Sequence, residues 1–124
     1  MSRIRSKDTK VELLFRKALS LEVYPKGLRY RLHHKKIIGS PDIVFVKQKV
    51  AIFIDGDFWH GRGFNKRKSK LPKKYWVPKI EENICRDRRV DRRLRKEGWR
   101  VIRIWESDVE KNSDKFISRV SKYL

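Results

Sequence analysis

Asp42-Ile43-Val44-Phe45-Val46-Lys47-Gln48-Lys49-Val50-Ala51-Ile52-Phe53-Ile54 is the stretch on which the fold turns. Two apolar runs rich in β-branched and aromatic residues flank three polar ones, the pattern of two strands joined by a short turn. Neither run alternates apolar with polar, so both read as buried strands, the hairpin at the centre of a sheet. The second run goes straight into Asp55-Gly56-Asp57-Phe58-Trp59-His60-Gly61. A buried strand thus delivers carboxylates, two adjacent aromatics and an imidazole to one loop at a sheet edge, where folds carry their chemistry.

Working outward, Thr9 and Glu12 have the spacing of a capping box, and Leu13, Leu14, Ala18 and Leu21 form a helical stripe. A helix is expected from about Thr9 to Leu21, after a short, mobile, basic arm over residues 1–8. Pro25-Lys26-Gly27 turns the chain into an alternating strand, Leu28 to His33, with Leu28, Tyr30 and Leu32 on one side. Residues 62–74 hold seven Lys or Arg and no acid, a basic loop. A second helix is expected from near Pro78, which suits a first turn, to just before Gly98, which suits a C-cap. Trp99 to Trp105 reads as a further strand, with Trp99 and Trp105 in the core. Ser113 is positioned to cap a last helix carrying Phe116, Ile117, Val120 and Leu124. The order is helix, three strands, helix, strand, helix. It makes one domain over residues 1–124, with no internal repeat.

The chain carries 34 Lys and Arg against 15 Asp and Glu, a formal net charge of +19. Such an excess repels itself unless a polyanion neutralises it, and nucleic acid is the default partner through its phosphates. An anionic membrane is the rival, but no apolar run approaches 18 residues and no cleavable signal opens the chain. Cys85 is the sole cysteine, which excludes an intrachain disulfide and a zinc site of several thiolates. A soluble, cytoplasmic, nucleoid-associated protein is expected.

Asp42 heads one strand of the hairpin and Asp55 ends the other, so both fall at the same edge with the Ile54 carbonyl close by. Carboxylates and a carbonyl suit a hard cation such as Mg²⁺. The plain alternative is that both are turn formers at strand ends. On the second helix Ile80, Ile84, Asp87, Asp91 and Leu94 share a face, and an aspartate inside an apolar stripe is costly unless paired or ligating. A salt bridge to Arg86, Arg88 or Arg89 is its ordinary explanation; Asp91 reads as a rim residue. Glu12 by itself is a capping residue. His60 can take a proton from a water attacking phosphorus, whereas His33 and His34 read as a strand end near phosphate. Phe58, Trp59 and Trp76 can stack on or insert between bases, with core packing as the alternative. Arg62, Lys66, Arg67 and Lys68 would hold the backbone.

These residues, in this order, resemble the very short patch repair endonucleases. The matching stretches are Arg5-Ser6-Lys7-Asp8-Thr9 with Glu12, Gly27 to Arg31, Gly39 to Val44, and Phe58-Trp59-His60. Others are Tyr75-Trp76 through Lys79-Ile80 and Asn83, Arg86-Asp87-Arg88-Arg89, and Gly98 to Val101 with Trp105-Glu106. The resemblance implies an α/β, restriction-endonuclease-like fold, a mixed central sheet flanked by helices. It implies a nick in one strand at T:G mismatches, using Mg²⁺ or Mn²⁺. It makes Asp42 the metal-binding carboxylate with the Ile54 carbonyl beside it, and His60 the general base assisted by Glu12 and Asp87. Phe58, Trp59 and Trp76 become wedges in double-stranded DNA.

Two departures stand out. The family's structural zinc is held by cysteines and a histidine where this chain has Asp57, Arg62, about Phe64, and Ser107, so no zinc is expected. An Asp57–Arg62 pair is the expected substitute. No counterpart of the N-terminal arm found in many members is expected; since zinc-free relatives are associated with homing endonucleases, the resemblance leaves open a homing-type or other sequence-specific nuclease acting on paired DNA. A catalytically silent DNA-binding module is the rival of another class, although pure binding needs none of Asp42, His60 and Asp87. One nick needs one active site, so a monomer is expected.

Overall fold

The computed structural model describes residues 9–57, 61–63 and 76–124. Helix α1 (Lys10–Val23) leads through a single 3₁₀ turn at Tyr24–Lys26 to strand β1 (Arg31–Leu32), then β2 (Ile43–Phe45) and β3 (Val50–Asp55). Helix α2 (Trp76–Lys96), strand β4 (Arg100–Trp105) and helix α3 (Glu106–Ser121) complete the order. The sheet runs β1-β2-β3-β4, antiparallel through its first three strands. β3 and β4 pair in parallel along six residues, Val50↔Arg100 to Asp55↔Trp105. The mixed sheet flanked by helices is the restriction-endonuclease-like arrangement that the sequence implies.

All six residues of β3 are buried, as a strand covered on both faces must be. One face carries Ile43, Phe45, Ile52, Ile54, Ile102 and Ile104 against Phe15, Leu19 and Val23 of α1 and Val109, Ile117 and Val120 of α3. Ala51 and Phe53 on the other face meet Val90 and Leu94 of α2, with Trp99 packed alongside. Among the described residues no helix is long and apolar enough to cross a membrane.

Several local expectations need correction. The buried stripe of α1 is Glu12, Phe15, Leu19 and Val23, while Leu13, Leu14 and Leu21 are 50%, 48% and 73% exposed. The first strand shrinks to Arg31–Leu32, because Leu28 still donates its N–H to the Val23 carbonyl of the helix end and β2 is only three residues long. Tyr30 bonds sideways to Ser20, 2.6 Å between hydroxyls, and packs edge-on against Phe45. α2 begins at Trp76, with Pro78 still in the first turn, where the missing N–H costs nothing. The last helix starts at Glu106, directly off β4, and is broken at Asn112 (φ −158°, ψ 74°). There the Asn112 Oδ1 accepts from the Lys115 N–H at 3.3 Å, so the second segment is capped one residue before Ser113. Trp105 is half-buried and lies outside the main core, with the Arg62 guanidinium 5.6 Å from its ring centre.

Candidate active site

Pairing brings the first group of chemistry-bearing residues together. β1 and β2 align Leu32 with Ile43, and the next rung is the His33 N–H on the Asp42 carbonyl at 3.0 Å. His33 itself sits at φ 46°, a left-handed conformation uncommon for a side-chain-bearing residue. Asp42 in turn donates its N–H to the Ile52 carbonyl at 3.0 Å, and its Oδ2 accepts the Ile54 N–H at 2.7 Å. Since Ile52 presents its carbonyl to β2, and alternate residues of a strand face the same neighbour, the Ile54 carbonyl projects to that same side, past the end of β2.

Glu12 reaches this edge from the first turn of α1. The capping box is complete: Thr9 Oγ1 accepts the Glu12 N–H at 3.2 Å, and Glu12 Oε1 accepts the Thr9 N–H at 3.1 Å. Glu12 is nevertheless only 2% exposed. One ligand atom each from Glu12, His33 and Asp42 lies within 4.8 Å of the other two. Two carboxylates and an imidazole, with a carbonyl projecting nearby, form a donor set that could hold a divalent metal ion. The sequence alone suggests for His33 only a strand end near phosphate, because its place here depends on the register of a two-residue strand, which no local pattern encodes.

Asp55 and Asp87 belong to a second cluster, on the α2 side of the sheet. Arg103 of β4 lies over the Phe53 ring at 4.1 Å and binds both Asp55 oxygens, at 3.1 and 3.0 Å. It also chelates Asp91 through Nε at 2.8 and 3.0 Å and approaches the Asp87 carboxylate at 3.6 Å. Burial works against the Arg103 charge, but Asp91, Asp55 and Asp87 outweigh it and hold its pKa above the ordinary value. These three carboxylates and Arg103 line a cavity of about 210 Å³ together with Ile84, Arg88, Ile104 and Trp105. The aspartates on the apolar stripe of α2 thus meet a partner on the sheet, Arg103 of β4. Asp91, expected at the rim, is an integral part of this cluster.

Arg62 is held by two carboxylates, Asp57 at 3.2 Å and Asp108 at 3.0 Å. Trp76 packs at the start of α2 with Val77, Ile80 and Ile84. On the outer surface of α2 a cleft of about 710 Å³ is lined by Ile38, Arg89, Arg92, Arg93, Lys96 and Glu97, four cations against one acid. Phe58, Trp59, His60, Lys66, Arg67 and Lys68 lie outside the described residues.

Residues 1–66 match the family model described as DNA mismatch endonuclease Vsr. The chain is 47% identical over 111 residues to the type II nicking enzyme V.NmeDIP of Neisseria meningitidis serogroup C, covering 88% of this chain and 72% of the relative. It is 44% identical over 122 residues to the nicking enzyme V.HpaIIP of Haemophilus parainfluenzae, covering 97% and 84%. Against the DNA mismatch endonuclease Vsr of Escherichia coli (strain K12) it is 35% identical over 107 residues, covering 86% and 66%.

Proposed function

Because the chain belongs to the Vsr family of DNA mismatch endonucleases, we propose that it nicks one strand of double-stranded DNA beside T:G mismatches, at a divalent cation centred on Asp42. The protein is a DNA endonuclease, a phosphodiester hydrolase. The convergence of Glu12, His33 and Asp42 within 4.8 Å at the edge where β3 ends supports a cation there.

In this reading Asp42, Glu12 and His33, with the Ile54 carbonyl, would hold Mg²⁺ or Mn²⁺. When bound, the ion supplies Lewis-acid polarisation of the phosphate and charge stabilisation at the departing oxygen. The Ile54 N–H orients the Asp42 carboxylate, since a charge-assisted bond of 2.7 Å fixes one of its oxygens. His60 is the general base that accepts the proton of the attacking water. Asp87 assists from the Arg103 cluster by setting the field on the α2 side. Phe58, Trp59 and Trp76 wedge into the duplex where a mismatch lowers the unstacking cost. Arg62, Lys66, Arg67 and Lys68, with the arginines of the α2 cleft, contact phosphates. One chain suffices for one nick, so the enzyme acts as a monomer.

Supercoiled plasmid and two oligonucleotide duplexes, one T:G and one fully paired, test this reading with Mg²⁺, Mn²⁺ or EDTA. Nicking of the T:G duplex at least tenfold faster than of its paired counterpart, abolished by EDTA, is the expected result. Equal cleavage of both duplexes would favour a sequence-specific nuclease with the same site, and EDTA-resistant cleavage would remove the metal from the scheme.

A further inference from the structure

The loop that follows β3 is fastened at both ends by residues with no part in the Glu12–His33–Asp42 group. Asp57 lies two residues beyond the strand, and its Oδ1 accepts the Ser107 N–H at 3.1 Å in the first turn of α3. Its Oδ2 accepts from the Ser107 hydroxyl at 2.5 Å and from the Arg62 guanidinium at 3.2 Å. Arg62 reaches on to the Ser107 Oγ at 2.9 Å and the Asp108 carboxylate at 3.0 Å. The Arg62 backbone N–H also donates to the Asp57 carbonyl at 2.9 Å. Gly61, at φ 78°, lies so close to α2 that a Cβ there would stand 2.5 Å from the Ile84 Cδ1. The two ends of the loop are therefore fixed to α3 by polar bonds and to α2 by close packing.

The family resemblance would put a zinc ion at Asp57, Arg62 and Ser107. The donor chemistry does not fit one. A guanidinium has no lone pair to give, stays charged at any working pH, and is itself the cation that the Asp57 carboxylate binds. Zinc in structural sites takes thiolates and imidazoles, and neither occurs at these three positions.

We infer that Asp57, Arg62, Ser107 and Asp108 form a metal-free polar clasp that ties the chain leaving β3 to the first turn of α3 where the resemblance would place zinc, making Asp57 and Arg62 positioning residues for strand cleavage. The inference rests on the reading that the chain following Asp57 serves the cleavage site. With Asp57 and Arg62 held in the folded protein, the entropic cost of fixing their positions falls on folding and not on each turnover.

The test uses the full chain and the variants Asp57→Ala, Arg62→Ala, their double, Asp57→Glu and Ser107→Ala. Asp57→Ala should lower kcat for nicking at least tenfold while KM changes less than threefold; Arg62→Ala should lower kcat at least as much and also raise KM, because it loses a phosphate contact. The double variant should be no worse than the poorer single, because the clasp works as a unit. Asp57→Glu should recover part of the loss. Ser107→Ala removes a hydroxyl and keeps the backbone donor, so it covers the case in which the alanine variants do not fold. It should show a smaller kcat loss. Limited proteolysis between residues 57 and 62 should be faster in every clasp variant. That readout needs no nicking activity, so it separates failure of the clasp from failure of the cleavage reading. Metal analysis of wild-type protein should find zinc far below one per chain, with an EDTA-treated sample melting at the same Tm. Wild-type kcat in both alanine variants, multiplicative defects, unchanged proteolysis, or stoichiometric zinc whose removal lowers Tm would each overturn the inference.

Discussion

Glu12 closes a capping box and also contributes to the candidate metal group, and the two roles separate by substitution. Glu12→Gln keeps the hydrogen-bonding pattern of the cap and removes the charge. It should leave Tm nearly unchanged while nicking falls by about two orders of magnitude or more. Thr9→Ala should do the reverse, costing about 1 kcal/mol of stability, measured by urea unfolding, with most of kcat retained. Asp42→Ala should abolish metal-dependent nicking and preserve or tighten DNA binding in a gel-shift assay, since it deletes a negative charge facing phosphate. Undiminished nicking would defeat that assignment. His33→Ala belongs with it: a loss smaller than threefold would take the imidazole out of the site. Asp42 was legible in the sequence because a proline and an apolar run frame it. His33 was not, because its place depends on a strand register.

The clasp and the Arg103 cluster join elements to one another, and both carry consequences for pH and packing. Burial pushes the Asp57 carboxyl up, but the hydrogen bonds from Ser107 and Arg62 outweigh it, leaving its pKa below the ordinary carboxylate value. A group whose folded pKa is depressed contributes stability that is present above its unfolded pKa and lost as pH falls through the folded one. Wild-type Tm should therefore drop on acidification from about pH 5 to about pH 2 more steeply than the Tm of Asp57→Asn, measured by calorimetry. In Arg103→Leu the Asp55, Asp87 and Asp91 carboxylates lose the guanidinium they share. That change should cost about 3 kcal/mol or more near neutral pH, and mild acid should partly restore the loss. Elements were legible where the local signal was strong: the two apolar runs of the hairpin, the capping pair at the start of α1, and the periodic stripe of α2 that flagged Asp87. The apolar face of α1 was misassigned because leucines lie on several sides of that helix and periodicity alone could not choose. The start of α3 was missed because Glu106 follows the strand with no intervening turn residue.

At the scale of the whole molecule, the net charge of +19 makes DNA affinity a matter of counterion release. Binding to an undamaged duplex, followed by fluorescence anisotropy, should weaken by roughly 10³-fold between about 50 and about 200 mM salt if six or more phosphates are neutralised. A flat salt response would show that the arginines of α2 and the basic loop do not engage the backbone. That the partner is polyanionic was legible from composition alone, whereas which face meets it was not, because Lys and Arg occur on all three helices and on both edge strands, β1 and β4.

The parallel pairing of β3 with β4 has a kinetic corollary. The contacts Asp42–Ile54, Asp55–Arg103 and Asp57–Ser107 span 12, 48 and 50 residues of chain, and the two longer ones exist only after β4 has docked beside β3. Closures of that span are slow compared with helix nucleation. On dilution from denaturant, helical ellipticity should return first and nicking competence later, with a delay set by the arrival of a strand that itself supplies no cation ligand.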